Sequence, residues 1–502
     1  MSEIGLKMFK LNISNQIYKE NRMYQDLNLF IKGVWRPASD SNTKAVTDPA
    51  TEDVLGNIAV ATTEDVRSAL NAAEDGFSIW RRTGTWDRAA KIRKIADLIR
   101  KRQSEIAHIM SLETGKPIGE AMGETGAAAD QFEWYSEETK RIYGQVIESR
   151  TFDTRMSVIY QPVGIVAAFS AWNFPALLPA RKIAASLAAG CAIIIKPAGE
   201  TPGSCAAIVQ ACHDAGIPAG VVNMLTGNSN QIAKQMIESP VVKKVSVTGS
   251  IEVGKQILSL AANGVKKVSM ELGGHGPVII FEDYDPKKAA EACALTKFRN
   301  CGQVCISPTR FYVHENNYKE FSEHFVKVAR SLKIGRGLES GVQIGPMANH
   351  RGLEMIKKML TDAVDKGAEL LAGGKSPTGF DKGYFMEPTV LGNVSDDALV
   401  MKEEPFGPIA PITKFRDYEE VIKRANSLRF GLAGYIFSNN LNISTRAYED
   451  LEVGMVGVNE MLLATAEAPF GGVKESGFGR EGGSLGIHDY LEPKYVRTKL
   501  AD

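Results

Sequence analysis

The chain has 502 residues, of which 44% are hydrophobic and 24% are charged, and this composition is ordinary for a globular protein of two or three domains. Lysine plus arginine and aspartate plus glutamate both number 59, so the formal net charge is zero. This balance provides no general attraction to nucleic acid or to an anionic membrane surface. We therefore expect a small-molecule partner, with no nucleic acid and no membrane.

The sequence lacks the patterns of a membrane span, a secretory signal or a metal site. Its longest apolar run, residues 183–195, is shorter than the roughly 18 residues that a span requires. The first residues are polar and charged, so we expect a cytoplasmic protein with a loose N-terminal extension over residues 1–26. Six cysteines are too few for a disulfide framework, and with no histidine near Cys301 and Cys305 we expect no metal.

From about Thr63 onward, helix-like and strand-like patterns alternate, which indicates an α/β fold. Residues 89–110 place apolar side chains at helical spacing between charged ones, and this pattern predicts one amphipathic helix packed on a sheet. Short apolar runs separated by helical stretches follow at Gly164–Phe169, Cys191–Ile195, Val221–Leu225 and Lys244–Thr248. Such runs are typical of strands buried on both faces of a parallel sheet, and a cofactor would lie at the turns after them.

A second set of strand and helix patterns begins at Val278 and runs past Val456. The glycines between the two sets, at residues 273–276, predict the domain boundary. Residues 156–161 and 491–500 alternate as strands do. These two segments could pair with each other or with a neighbouring subunit.

Two segments carry side chains suited to nucleophilic chemistry. Cys305 follows a Gly-Gln pair and precedes Ile-Ser-Pro, a loop-like context in which a thiol can be exposed, although a buried structural cysteine is the alternative. Glu271 ends an apolar strand beside glycines, where partial burial can raise the pKa of a carboxyl group toward that of a useful general base. A glutamate that caps a turn is the alternative there.

Two further segments suit the binding of negative charge. Asn173 follows the strand 164–169, and its amide could donate to an oxyanion, with a turn-forming asparagine as the alternative. Residues 246–254 combine a strand, a Gly-Ser turn and a helix start, a setting in which backbone amides bind pyrophosphate. This segment lacks the GxGxxG pattern, so alone it is weak evidence.

Together the four segments resemble the aldehyde dehydrogenase superfamily, and the resemblance extends from about Leu27 to Leu500. Three more stretches match in the order that the family has them: Lys196-Pro-Ala, Glu403-Glu-Pro-Phe-Gly-Pro408 and Pro469-Phe-Gly-Gly-Val-Lys-Glu-Ser-Gly477.

The resemblance implies the architecture of that family. Residues 27–148 and 162–274 would form a Rossmann-like parallel-sheet domain that binds NAD(P), and residues 275–480 an α/β catalytic domain with the cysteine nucleophile. Residues 149–161 and 481–502 would form a small β oligomerisation arm. A homodimer or a homotetramer is expected.

The resemblance also implies a role for each matching residue. Cys305 corresponds to the nucleophile, Glu271 to the general base, and the Asn173 amide with the backbone N–H of Cys305 to the oxyanion hole. The implied cofactor contacts are Trp172, Lys196, Gly199, Glu200, Gly249, Ser250, Gly254, Leu272, Glu404 and Phe406. Among these, Lys196 would hold the adenosine ribose, and Glu404 the nicotinamide ribose.

In the mechanism that the resemblance implies, the Cys305 thiolate adds to the aldehyde, Asn173 holds the oxyanion, and a hydride passes to the nicotinamide. A thioester remains, and Glu271 activates the water that hydrolyses it. Family members that pass the acyl group to coenzyme A typically lack this glutamate. Its presence here favours a free carboxylic acid as the product.

The residue after Lys196-Pro-Ala departs from the pattern of many NAD-preferring relatives, in which a glutamate accepts from the adenosine ribose hydroxyls. Here that residue is Gly199, and the acidic residue follows at Glu200. Repulsion of a 2′-phosphate is thereby weakened, so we expect NADP to be tolerated or preferred. A shifted loop that brings Glu200 to the ribose is the alternative.

Arg181 and Arg299 resemble the two arginines with which succinate-semialdehyde dehydrogenases clasp the distal carboxylate of their substrate. The substrate loop, residues 462–468, lacks the serine of those relatives and has Ala464 or Thr465 in its place. The predicted substrate is succinate semialdehyde or a related acid semialdehyde, such as that of glutarate or 2-oxoglutarate.

Two alternatives to this function stay open from the sequence. One is an aldehyde dehydrogenase for neutral aliphatic or aromatic aldehydes, in which both arginines are structural. The other is a catalytically silent protein that has kept the fold.

Overall fold

The computed structural model describes residues 24–501, so residues 1–23 of the predicted N-terminal extension lie outside the described part. The helices are α1 Thr63–Trp80, α2 Thr85–Lys101, α3 Gln103–Thr114, α4 Ile118–Glu138, α5 Leu177–Ala189, α6 Pro202–Asp214, α7 Ser229–Glu238, α8 Ile251–Ala262, α9 Pro286–Phe298, α10 Tyr318–Ser331, α11 His350–Asp365, α12 Leu399–Lys402, α13 Tyr418–Ala425, α14 Leu441–Asp450 and α15 Gly483–His488. Within the described range, no helix has the length and apolar character needed to cross a membrane.

The strands are β1 Leu29–Ile31, β2 Val34–Arg36, β3 Thr43–Thr47, β4 Val54–Ala59, β5 Gln145–Ile147, β6 Thr154–Pro162, β7 Ile165–Phe169, β8 Ala192–Lys196, β9 Val222–Met224, β10 Val242–Thr248, β11 Lys267–Glu271, β12 Gly276–Ile280, β13 Pro308–His314, β14 Glu369–Ala372, β15 Thr389–Gly392, β16 Ile409–Phe415, β17 Ala433–Phe437, β18 Met455–Val458, β19 Gly477–Phe478 and β20 Leu491–Lys499.

The first sheet has eight strands in the order β19-β11-β10-β7-β8-β9-β1-β2. The strands from β11 to β9 run parallel, whereas β19, β1 and β2 pair in the antiparallel direction. The four predicted apolar runs correspond to β7, β8, β9 and β10, and their side chains are largely buried. Burial on both faces of the sheet explains their continuous apolar character, and the parallel α/β prediction is confirmed.

The chain passes to the second sheet between Glu271, where β11 ends, and Gly276, where β12 begins. This sheet has seven strands in the order β14-β15-β16-β13-β12-β17-β18, which are parallel to their neighbours except for β14. Its side chains form a hydrophobic core of their own, distinct from the clusters on the two faces of the first sheet. Each of the two large sheets is therefore packed around a hydrophobic core of its own.

The two marginal strands predicted from the sequence pair with each other. β20 runs antiparallel to β6 from the pair Leu491 and Pro162 to the pair Lys499 and Thr154. β5 adds a strand at the other edge of β6, so this small sheet begins upstream of residue 149. Large apolar side chains on it are exposed, among them Val146 at 88%.

The single amphipathic helix predicted for residues 89–110 is wrong, because the structure has two helices, α2 and α3, that meet at Arg102. This residue leaves helical geometry, with φ −103° and ψ 15°, and its side chain pairs with Asp214 of α6 at 2.6 Å. The break lets both helices pack mainly against other helices, α2 on α4 and α3 on α4 and α6. A long apolar stripe predicts the buried face but not the bend that these neighbours impose.

Candidate active site

The predicted site residues gather where the parallel strands of the first sheet end. The strands β7, β8, β10 and β11 end at or shortly before Asn173, Lys196, Gly249 and Glu271. The carboxyl ends of parallel strands share one edge of a sheet, and ligands bind at that edge. Asn173 Nδ2 also donates to the backbone oxygen of Gln303 at 3.1 Å, which joins this edge to a loop of the second sheet. The candidate site therefore lies between the two sheets.

The loop that carries Cys305 has an unusual backbone. Asn300 and Cys301 have positive φ angles of 48° and 54°, and Gly302 follows at 74°. A side-chain carbon at Gly302 would lie 2.2 Å from the backbone oxygen of Gly407, so this close approach requires glycine. The conformation fixes the loop against the segment that precedes β16, and it determines where Cys305 lies.

Cys305 is partly buried, whereas the other five cysteines of the chain are buried. The backbone of Cys305 passes close to Gly274, because a side-chain carbon at Gly274 would lie 2.4 Å from the backbone oxygen of Cys305. Burial raises the pKa of the thiol to about 12, Glu404 and Glu271 add to the increase, and Arg181 opposes it. The thiol is therefore protonated at neutral pH, and it needs a nearby base or positive charge before it can act as a nucleophile.

Asn173 is held beside this loop by hydrogen bonds in both directions. Its Nδ2 donates to Gln303, and its own backbone oxygen accepts from the amide of Asn300 at 3.1 Å. A side-chain amide has two N–H donors, so one remains for an oxygen atom of a substrate bound to Cys305. The geometry is compatible with the predicted oxyanion hole, which stays a prediction.

Lys116 and Glu124, which the sequence does not single out, fix the turn that carries Asn173. Both side chains are buried, and they form an ion pair with each other. Lys116 Nζ also donates to the backbone oxygen of Asn173 at 2.8 Å, while Glu124 accepts from the backbone N–H of Ala176 at 2.9 Å. Both members of this buried charge pair also form a hydrogen bond with the backbone of the same turn, and together these bonds hold the turn rigidly. A lysine before a proline and a helical glutamate are too common in sequences to have indicated this role.

Glu271 is buried, and neither of its carboxyl oxygens has a hydrogen-bond partner among the described residues. Gly471 leaves room for this carboxyl group, since a side-chain carbon at Gly471 would lie 2.9 Å from Oε1 of Glu271. Burial raises the pKa of Glu271 well above its ordinary value, and the charge of Glu481 adds to the increase, whereas Lys182 opposes it. A carboxyl group in such surroundings can accept a proton from a thiol or a water near neutral pH.

Lys196 lies at the end of β8, largely buried, and its Nζ donates to the hydroxyl of Ser229. Burial lowers the pKa of Lys196 to about 8, Glu200 opposes this decrease, and Lys44 adds to it. A side-chain carbon at Gly199 would have no neighbour within 4 Å. Lys196 is thus bonded to a hydroxyl and feels the charges of Glu200 and Lys44, and a side chain could begin at Gly199 without a close contact.

The Gly249-Ser250 turn after β10 leads directly into the N-terminus of α8. Ser250 is the N-cap of α8, and its side chain accepts from a backbone N–H of the first turn. A side-chain carbon at Gly254 would lie 2.5 Å from Leu272, so α8 packs closely on the segment after β11. The hydroxyl of Thr248 is buried without a hydrogen-bond partner in the described part of the chain. A helix N-terminus and an unsatisfied hydroxyl at this turn fit a bound pyrophosphate.

Glu404 and Phe406 approach the glycines that follow β11. Glu404 accepts from the backbone N–H of Gly274 at 3.0 Å, and burial raises the pKa of its carboxyl group to about 8 although this hydrogen bond opposes the increase. The ring of Phe406 meets that of Trp172 edge to face, with 5.5 Å between their centres. The cofactor contacts implied for Glu404, Phe406 and Trp172 stay predictions.

A cavity of about 590 Å³ opens between α4, α5 and the loop of residues 462–467, and both Arg181 and Thr465 line it. Arg181 is 3% exposed, and its guanidinium lies 4.1 Å from the centre of the Phe470 ring. Among the described residues, its Nε has no hydrogen-bond partner. The charge of Arg181 lowers the pKa of Cys305, against the larger effect of burial.

Arg299 lies in a different place from Arg181. Its side chain is exposed and lines a separate cavity of about 370 Å³ beside Glu120. Its guanidinium is 5.4 Å from the centre of the Phe174 ring. In this conformation the two arginines do not line one cavity, so the two-arginine clasp stays a prediction.

Comparisons with known proteins find a family and individual relatives that match most of the chain. The model of a family described as "Aldehyde dehydrogenase family" matches residues 35–496. The chain is 43% identical to the glutarate-semialdehyde dehydrogenase of Pseudomonas putida over 467 residues, which cover 93% of this chain and 96% of that protein. It is 42% identical to the succinate-semialdehyde dehydrogenase (NADP(+)) GabD of Escherichia coli over 476 residues, which cover 94% of this chain and 98% of that protein.

A solved structure shows the same fold. The crystal structure of an E. coli NADP-dependent enzyme is similar with a TM-score of 0.94 and 41% sequence identity, and the match covers 96% of this chain and 100% of that chain.

Proposed function

The chain belongs to the aldehyde dehydrogenase family and is an NAD(P)-dependent oxidoreductase, and from this premise we propose that it oxidises succinate semialdehyde or a related carboxylated semialdehyde to the free acid. The observation that carries the substrate class is Arg181, a buried cation in the cavity whose Nε has no hydrogen-bond partner among the described residues. A charge removed from water is costly unless an opposite charge accompanies it, so the carboxylate of a substrate is its natural partner. The names of the P. putida and E. coli relatives support the same class.

The chemistry assigned to this site uses three residues. The Cys305 thiol, whose pKa the charge of Arg181 lowers, releases its proton to solvent, and the sulfur adds to the aldehyde carbon to give a thiohemiacetal oxyanion held by the Asn173 amide and the Cys305 N–H. Bound NAD(P)+ supplies the acceptor for the hydride that leaves this carbon. Glu271 then takes a proton from the water that cleaves the thioester. The free acid then leaves the thiol.

We infer that NADP is the preferred cofactor. Gly199 offers no carboxylate to repel a 2′-phosphate, and Lys196, three residues before it, is bonded to the Ser229 hydroxyl and feels the positive charge of Lys44. Glu200 is the acidic residue that weakens this positive region. The printed name of the E. coli relative, which includes NADP(+), supports the inference.

Replacing Gly199 with glutamate is expected to shift the preference from NADP toward NAD by about 10- to 100-fold, because a carboxylate repels the 2′-phosphate and accepts from ribose hydroxyls. The open space at this position accommodates the side chain without a clash. The measurement is the ratio of kcat/KM for the two cofactors, with Gly119→Glu, another glycine with open space around it, as the control. An unchanged ratio would contradict the placement of the adenosine ribose beside Gly199.

Replacing Arg181 with methionine is expected to lower kcat/KM for succinate semialdehyde by about 100-fold, mainly through KM, since the carboxylate loses its charged partner. Glutarate semialdehyde should follow the same pattern, whereas hexanal and benzaldehyde should be affected much less. The ratio of kcat/KM for acidic substrates to kcat/KM for neutral substrates separates the effect on substrate binding from any effect of Arg181 on the thiol. If this ratio stays at its wild-type value, the proposed substrate class is wrong.

The same kinetics decide between the remaining functions. Arg299→Met tests whether the second arginine contributes, because a clasp by both residues predicts a comparable increase in KM for the acidic substrates. A wild-type preference for hexanal or benzaldehyde would favour the neutral-aldehyde alternative. If no turnover depends on Cys305, the alternative of a catalytically silent protein that has kept the fold would be favoured.

The small sheet of β20, β6 and β5 supports assembly into a homodimer or homotetramer. Val146 is 88% exposed and Tyr495 is 53% exposed on this sheet, and exposed apolar side chains of this kind are typical of an interface. β5 and β20 also leave two open strand edges. Sedimentation equilibrium is expected to give a dimer or tetramer mass, and a monomer at micromolar concentration would contradict the assignment.

A further inference from the structure

The helix α6 follows the loop of residues 197–201, on which the inferred preference for NADP depends. Its first residue is Pro202, which has no backbone N–H, and the side chain of Thr201 makes no capping hydrogen bond to the helix. The first N–H groups that α6 leaves free are therefore those of Gly203 and Ser204, and they need acceptors from another part of the molecule.

Glu113 on α3 supplies these acceptors with one carboxyl group, which is 1% exposed. Its Oε1 accepts from the backbone N–H of Gly203 and, at 2.6 Å, from the hydroxyl of Tyr24. Its Oε2 accepts from the backbone N–H of Ser204 at 3.0 Å and from the hydroxyl of the same residue at 2.7 Å. A buried carboxylate with four donors at a helix N-terminus is a strong attachment, so Glu113 fixes the first turn of α6 to α3.

The loop of residues 197–201 is held at its two ends. It begins at Lys196, the last residue of β8, and it ends at Thr201, which is buried and whose hydroxyl donates to the backbone oxygen of Trp172 at 3.4 Å. Between these ends lies Gly199, and glycine gives the loop no preferred path of its own. The path of the loop therefore depends on where α6 begins.

We propose that Glu113 is a positioning residue for the cofactor, because by fixing the first turn of α6 it fixes the loop that receives the 2′-phosphate of NADP. The inference rests on the inferred preference for NADP, since it assumes that this loop lies beside the adenosine ribose. Glu113 acts through the loop and not by contact with the cofactor. Loss of its hydrogen bonds weakens binding at the adenosine end and leaves the chemistry at Cys305 unchanged.

Two inhibitors isolate the adenosine end of the cofactor, because 2′,5′-ADP carries the 2′-phosphate and 5′-AMP lacks it. Glu113→Gln keeps the shape of the side chain but places an amide nitrogen, which cannot accept, opposite two of the four donors. It is expected to raise the inhibition constant of 2′,5′-ADP about tenfold and that of 5′-AMP less than about threefold. The value of kcat for succinate semialdehyde at saturating NADP+ is expected to stay unchanged.

A second variant and a control accompany this measurement. Ser204→Ala removes one of the four donors and leaves the carboxyl group bonded, and it is expected to raise the inhibition constant of 2′,5′-ADP about threefold. The control is Asp283→Asn, because Asp283 accepts from the backbone N–H groups of Asn439 at 2.7 Å and Asn440 at 2.8 Å just before α14. This control is expected to lower the melting temperature and to leave both inhibition constants unchanged.

The outcomes separate this proposal from the proposed function. Equal effects of Glu113→Gln on both inhibitors, with a lower kcat, would show a general structural role and overturn the proposal. Unchanged inhibition constants in Ser204→Ala would overturn it as well, even if Glu113→Gln failed to fold. A wild-type enzyme that binds 5′-AMP as tightly as 2′,5′-ADP would overturn the preference for NADP and this inference together. A wild-type preference for hexanal would overturn the proposed substrate class alone, because both inhibitors report on the cofactor site.

Discussion

Replacing Cys305 with alanine is expected to lower kcat for aldehyde oxidation by about 10⁴-fold or more, because no other group at this site can form the thioester. The expected loss is the same for acidic and neutral aldehydes, since it concerns the bond-forming step and not the recognition of the substrate. The measurement is the initial rate of NADPH formation. An intact fold is checked by an unchanged melting temperature.

Cys301 provides the matched control, because it is on the same loop and is buried. Cys301→Ala is expected to retain most of the activity and to lower the melting temperature through the small cavity it creates. If Cys301→Ala lost activity while Cys305→Ala retained it, the assignment of Cys305 as the nucleophile would be wrong.

Replacing Glu271 with glutamine is expected to lower the steady-state rate by about 10²- to 10⁴-fold, the usual contribution of a general base. The shape of the side chain is kept, so binding of substrate and cofactor should change little. If thioester hydrolysis is the step that fails, a single burst of NADPH should precede the slow steady state. Rapid-mixing kinetics measure the burst, and a steady-state rate near that of the wild type would contradict the assigned role.

The pH dependence tests the same residue in the wild-type enzyme. Burial and the charge of Glu481 raise the pKa of Glu271, so the protonated, inactive form persists to higher pH than for an ordinary glutamate. The hydrolysis rate is therefore expected to increase with pH through the apparent pKa of this group and then to level off. Glu271→Gln should remove this increase, whereas a residue that only supports the fold would not change the profile.

The sequence predicts the parallel sheet well because its strands are buried on both faces. Continuous apolar runs such as Cys191–Ile195 have few other interpretations, and the strand β8 lies where this run predicts it. Alternation over residues 491–500 also predicted the marginal strand β20, although nearly all of this strand is exposed apart from Leu491. The apolar run of β8 thus reports directly on burial, whereas the alternation of β20 predicts the strand and not its burial.

The sequence does not predict features that depend on contacts distant along the chain. The bend at Arg102 depends on Asp214 and on packing against α4 and α6. Lys116 acts on Asn173 across many intervening residues. Resemblance to a family predicts positions such as Cys305 and Glu271, yet the burial that raises their pKa values comes from the folded surroundings.

The most direct test is to mix Glu271→Gln with succinate semialdehyde and NADP+, stop the reaction, and map the protein by peptide mass spectrometry. We expect the succinyl group on Cys305, because oxidation proceeds to a thioester that this variant hydrolyses slowly. Hexanal under the same conditions should label much less of the enzyme. An adduct on Cys301, or equal labelling by both aldehydes, would contradict oxidation of a carboxylated aldehyde through a Cys305 thioester.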